Sequence, residues 1–231
     1  MAQFIEKVYR SRQTVLDILR ERGYDTVGPE KFGPEEIREA LALGGVGGGK
    51  ALEFTVTAKE DAPNAATPTV RVYVFMTRLK NKLPGFIQSL EIPIGAVDPS
   101  ARQPDKLGSP VDPEQTSIIC LINDPVVSVF NQASVSAWNL RKLRLTFFNI
   151  DSFQMNPLRH YLVPKHEVVP PETHAALMKD RYITSKAQFP LIRYHEDPIT
   201  RVIGCIPGDI IKITRPSPSA GEYIIYRAVV A

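Results

Sequence analysis

The sequence predicts an α+β protein, with an N-terminal mixed α/β domain over residues 1–155 and a small C-terminal α+β module over 156–231. Three observations predict it. An apolar pattern at helical spacing opens the chain, four apolar or alternating stretches then read as strands around one further helix, and the last third carries dense turn signals ahead of two strand-like runs. Asn156-Pro157 marks the boundary between the two parts.

Phe4, Ile5, Val8, Val15, Ile18 and Leu19 recur at helical spacing, which predicts an amphipathic helix over 3–22 capped by Gly23. Pro34-Glu35-Glu36 opens a second, short helix, with Pro and acids in its first turn. Leu52, Phe54 and Val56 alternate with Glu53, Thr55 and Thr57. Val70, Val72, Val74 and Met76 repeat the alternation after the loop 61–68, so the two strands read as a long-loop hairpin. Residues 93–113 carry five prolines and no period, the mark of an exposed loop. Thr116–Ile122 is a short apolar run and reads as a buried strand. Val126–Leu140 reads as a helix burying Phe130, Ala133, Ala137 and Trp138, and Leu143–Ile150 as a strand with Leu143, Leu145 and Phe147 on one face. In the last third, Asp197 and Pro198 supply an N-cap and a first-turn proline for a short helix that Gly204 ends. Strands over Asp209–Thr214 and Glu222–Val230 flank the connection 215–221, with Pro207-Gly208 turning the chain into the first of them.

With 231 residues and 43% hydrophobic content, the chain can build one sizeable core and one small one. A net charge of +3 does not by itself imply nucleic-acid binding, which needs clustered charge. Lys7, Arg10, Arg12, Arg20 and Arg22 on the first helix read as a solvated face. Cys120 and Cys205 lie in apolar surroundings and read as buried thiols of a reducing compartment. No leader-like segment opens the chain and no apolar run approaches the roughly 18 residues of a membrane span, so a soluble, intracellular protein is expected.

Several motifs come close to a chemistry without completing it. Gly44 to Lys50 spells a phosphate-binding loop, but Ala51 stands where Mg²⁺ needs a hydroxyl, and a helix precedes the loop where a strand belongs. It reads as a flexible helix-to-strand loop. Nucleases of the two-metal type pair converging carboxylates with a nearby lysine, yet no Asp or Glu here is followed at the second position by Lys. His160, His166, His174 and His195 have no zinc-type spacing, and His166 reads as a structural histidine. No Gly-x-Ser-x-Gly elbow is present. No catalytic residue, metal, cofactor or small-molecule ligand is expected.

The last seventy residues carry a specific order of motifs. They read Leu162-Val163-Pro164-Lys165-His166, Phe189-Pro190-Leu191-Ile192, Asp197-Pro198-Ile199-Thr200-Arg201 with Gly204, Gly208 through Ser217, then Ala220-Gly221-Glu222-Tyr223 and Tyr226-Arg227. This order resembles the subunit shared by the three eukaryotic nuclear RNA polymerases, whose C-terminal part corresponds to a short subunit of the archaeal polymerase. Val8 to Val15 and Arg22-Gly23-Tyr24 resemble the first helix of the long, eukaryotic form, which archaeal versions lack. The resemblance implies a restriction-nuclease-like but inactive N-terminal domain that forms part of a jaw along downstream DNA. It also implies a C-terminal module that docks on the largest polymerase subunit, and a nuclear location, or a cytoplasmic one for a viral copy.

Carried over position by position, the implied partner-contact or framing residues are Pro190, Asp197, Pro198, Arg201, Gly208, Arg215, Pro216, Gly221, Tyr223 and Arg227. Arg215 and Arg227 are the chemically sharpest of these, because a guanidinium makes forked hydrogen bonds. The family's Thr-Pro-Ser loop beside DNA is replaced here by Asn123-Asp124-Pro125-Val126-Val127-Ser128, so Asn123, Pro125 and Ser128 are the DNA-proximal candidates. That departure and the 93–113 insert fit a divergent copy dedicated to one polymerase. The competing reading is a free-standing DNA-binding or nuclease-like domain, which tight, steeply salt-dependent duplex binding by the isolated protein would favour.

Overall fold

The computed structural model describes residues 2–43, 49–60, 65–90 and 111–231. Most of the glycine-rich stretch, part of the loop 61–68 and most of the proline-rich insert 93–113 therefore lie outside the described residues. The chain divides into two compact units, Met1–Met155 and Asn156–Ala231.

The first unit is built on a four-stranded sheet of order β1-β2-β3-β4: β1 (Phe54–Thr57), β2 (Thr69–Phe75), β3 (Thr116–Ile122) and β4 (Arg144–Asn149). The β1–β2 pair is antiparallel, as expected of the hairpin, whereas β2, β3 and β4 run parallel. Parallel neighbours need crossovers, and α5 (Ser128–Arg141) supplies the one between β3 and β4. β3 is buried at every residue, which is why it lacks polar alternation. One face of the sheet packs Tyr73, Phe75, Ile118, Cys120, Ile122, Leu145 and Phe147 against Phe130, Ala133 and Ala137 of α5 and against Leu83, Phe86 and Leu90 of the region of α4 (Leu83–Ser89). Trp138, expected in this core, is only half-buried, its ring under the Lys142 ammonium at 5.3 Å. α4 was not expected, because Pro84-Gly85 in its first turn reads as a chain reversal.

The opening helix, α1 (Ala2–Glu21), buries Ile5, Val8, Val15, Leu16, Ile18 and Leu19, and Gly23 follows it with φ 90°. A one-turn helix α2 (Val27–Glu30) precedes α3 (Pro34–Leu43), which packs beside α1. Gly49 is not the flexible linker residue its neighbours suggest. A Cβ there would sit 2.9 Å from the Val74 carbonyl oxygen, so the site needs glycine for close approach.

The second unit is a four-stranded sheet of order β5-β7-β8-β6, not the lone hairpin that the sequence suggested. Its strands are β5 (Lys165–Val169), β6 (Leu191–Arg193), β7 (Ile210–Ser217) and β8 (Gly221–Val230). The extra strands are short and lie next to prolines, which hides them in the sequence. Phe189, Ile210 and Ala228 form a small core with Val169, Leu177, Met178, Ile183 and Tyr226 packed on it, partly from α6 (His174–Asp180). The predicted short helix is α7 (Pro198–Ile203). The Asp197 carboxylate accepts from the Ile199 and Thr200 amides, and Gly204 closes the helix at φ 74°, ψ 32°.

Candidate docking surface

β7 and β8 pair along their whole length, from Ile210 opposite Ala228 to Ser217 opposite Gly221, leaving a turn of residues 218–220. The connection is thus shorter than the expected 215–221, because Arg215, Pro216 and Ser217 continue the strand. Pro216 is tolerated there for a specific reason. β5 covers β7 only as far as Thr214, so Pro216 has no second neighbour that needs an N–H.

The other side of the hairpin is also open. β6 pairs with β8 only at Ala228–Val230. Val229 exchanges backbone hydrogen bonds with Gly208 and Asp209 on the β7 side, while the Ala228 amide donates outward to the Pro190 carbonyl at 3.0 Å. Antiparallel alternation then turns the N–H and C=O groups of Ile224 and Tyr226 toward the uncovered edge. At this end of the hairpin Tyr223 is 56% exposed and Ile224 38% exposed, on opposite faces of the strand.

The residues implied by resemblance separate into three groups in this unit. Asp197, Pro198, Gly208 and Pro190 frame the module. Asp197 and Pro198 start α7, Gly208 turns into β7 at φ 100°, and the Pro190 carbonyl receives Ala228. Arg227 and Arg201 are half-buried. Arg227 Nη1 donates to the Leu191 carbonyl at 3.0 Å and ties β8 to β6. Burial holds the Arg201 guanidinium below its ordinary pKa, against the pull of Asp197. Arg215, Pro216, Gly221 and Tyr223 lie together on the exposed half of the hairpin, with Arg215 directly opposite Tyr223. Ile224 is exposed on the opposite face of the same half of the hairpin and went unnoticed in the sequence, where it is one apolar residue in an apolar strand.

Two of the histidines bond to nearby backbone carbonyls. His166 Nδ1 shares a hydrogen bond with the Pro164 carbonyl and His174 Nε2 with that of Val169. Among the described residues no three His, Cys, Asp or Glu side chains gather as a metal site would require.

In the first unit, the loop after β3 is built inward. Asn123 Nδ2 donates to the Met76 carbonyl at 3.3 Å. The Asp124 carboxylate, 6% exposed, accepts from the amides of Leu79 at 2.6 Å and Lys80 at 3.3 Å. Pro125 and Ser128 remain exposed, the latter as the first residue of α5. The basic residues of α1 do not form a free patch. Lys7 pairs with Asp151, Arg10 with Glu6, and Arg20 with Asp17 and Glu30. Arg12 is 2% exposed between the rings of Phe54 and Phe32, at 4.2 and 5.0 Å, and donates to the Leu52 and Pro29 carbonyls. Burial brings its pKa down to about 10. Arg22 is buried as well.

Comparison with known proteins gives this arrangement a family. Residues 155–229 match the model of the RNA polymerase Rpb5 C-terminal domain. The chain is 45% identical over 78 residues to DNA-directed RNA polymerase subunit Rpo5 of Sulfurisphaera tokodaii, covering 34% of this chain and 90% of that one. It is 52% identical over 71 residues to the Archaeoglobus fulgidus Rpo5, covering 31% and 91%. Along nearly its whole length, 98% of each chain, it is 28% identical to the subunit rpabc1 of DNA-directed RNA polymerases I, II and III of Dictyostelium discoideum. The chain therefore belongs to the Rpb5/Rpo5 family of RNA polymerase subunits, non-catalytic members of a multi-subunit transcription enzyme.

Proposed function

We propose that this chain is assembled into a nuclear DNA-directed RNA polymerase by its C-terminal unit, which docks on the largest subunit through the open half of the β7–β8 hairpin. The observation that carries this is the uncovered edge from Gly221 to Arg227, flanked by the exposed side chains of Arg215, Tyr223 and Ile224. An open strand edge invites a strand from a partner, and exposed aromatic and apolar side chains beside it give the contact its hot spots. Pro190, Asp197, Pro198, Gly208 and Gly221 shape the module. Arg215, Pro216 and Tyr223 touch the partner, whereas Arg201 and Arg227 hold the module together.

On this reading the N-terminal unit is the inactive, restriction-nuclease-like jaw beside downstream DNA. Its three parallel strands and the absence of an acid-x-Lys pair agree with that. The docking surface is tested with Tyr223→Ala/Ile224→Ala in the full chain. The variant should melt like the wild type, because both side chains are solvent-exposed, yet capture the largest subunit at least about tenfold more weakly. Undiminished capture by the folded variant would refute the hairpin as the docking surface.

A further inference from the structure

Residues 62–90 contain no Asp or Glu and four basic residues, Arg71, Arg78, Lys80 and Lys82. Arg71 is half-buried on β2 and donates to the Tyr73 hydroxyl. The other three stand on the loop that joins β2 to α4, and all three are exposed. Unlike the cations of α1, none of them makes a side-chain hydrogen bond or ion pair with a described residue.

The loop that carries them is held firmly. Leu79, between Arg78 and Lys80, is buried in the sheet–helix core. The buried Asp124 carboxylate accepts from the Leu79 and Lys80 amides, and the Lys82 amide closes a turn on the Leu79 carbonyl at 2.8 Å. Because β2 and β3 are parallel neighbours, this loop and the loop 123–128 emerge side by side at the C-terminal end of the strands. The acid that replaces the family's Thr-Pro-Ser order is therefore spent on backbone amides and does not offset the three cations at the surface.

We infer that Arg78, Lys80 and Lys82 form a binding site for the phosphate backbone of duplex DNA, with Asp124 as the residue that positions it. The inference rests on the reading of the N-terminal unit as a jaw beside downstream DNA, and it places the contact on the loop 77–82 in place of Asn123, Pro125 and Ser128. Every exposed residue from Thr77 to Lys82 is polar or basic. A protein partner would call for an apolar centre, whereas a phosphate backbone needs only fixed cations and donors. Pre-ordering by Asp124 and Leu79 reduces the entropy lost when the cations engage. Contacts of this kind carry no base preference.

The test uses assembled polymerase containing the full chain, with a photo-reactive amino acid in place of Asn81, and separately with Arg78→Gln/Lys80→Gln/Lys82→Gln. Residue 81 should cross-link to the downstream duplex. The triple variant should lessen the log–log salt slope of duplex binding by up to about 2.7, the share of three phosphate contacts. An assembled polymerase in which residue 81 cross-links only to protein, or in which the slope does not change, overturns the site. Failure of the chain to assemble would count against the docking reading instead. In that case the full chain alone, on a short duplex at low salt, decides the loop: binding lost in the triple variant supports it, and equal binding overturns it.

Discussion

Asp124 shows how one side chain sets the shape of a surface. Its carboxylate is buried yet satisfied, since it receives two amides of the loop after β2, and the Asn149 amide group donates to its carbonyl at 2.7 Å. Removing the acceptor leaves the buried Leu79 N–H without its partner and the part-buried Lys80 N–H to solvent, so Asp124→Ala should destabilise the protein by about 1–3 kcal/mol. Asp124→Asn keeps one acceptor oxygen and should cost less. Urea unfolding midpoints of the two variants measure the difference. At the other unit, His195 lies edge-on to Tyr194 with ring centroids 5.5 Å apart. Burial first, and the Arg193 and Arg201 charges after it, hold its pKa below the ordinary value against the pull of Glu196. The unfolded chain then binds the proton more readily than the folded one. Stability should therefore hold above the unfolded value of about 6.5 and fall as pH drops through it. His195→Gln should flatten that fall in melting temperature, and an unchanged pH profile would remove His195 as its cause.

At the scale of elements, the two arginines that looked equivalent in the sequence separate. Arg227 bridges β8 to the Leu191 carbonyl of β6, while Arg215 projects from the uncovered part of β7. Arg227→Ala should lower the melting temperature of the protein, and Arg215→Ala should leave it in place while weakening capture of the largest subunit. Paired melting and capture assays check both, and the opposite assignment would show as reversed effects. Which elements could be read in advance follows from where their signals lie. α7 was legible because Asp197, Pro198 and Gly204 act on their own backbone. β3 was legible because seven consecutive buried positions demand apolar residues. α4 was not, since burial of Leu83, Phe86 and Leu90 overrides the turn signal of Pro84-Gly85. Nor were β5 and β6, which hold together through pairing with β7 and β8, not through any pattern of their own.

Across the whole molecule, the order of motifs in the last seventy residues was legible as a family resemblance, while the surface that it builds was not. Exposure of Tyr223 and Ile224, the open edge of β8 and the inward turn of Asp124 are products of tertiary pairing, so no local pattern announces them. The two units also divide the chemistry. One presents an uncovered strand edge with apolar side chains, and the other a firmly held loop of exposed cations. The most direct test of the central claim is affinity purification of the tagged full chain from its native cells, with the co-purifying proteins quantified by mass spectrometry. Recovery of the two largest polymerase subunits in amounts near that of the tagged chain is the predicted result. Recovery of the folded chain free of polymerase would contradict it.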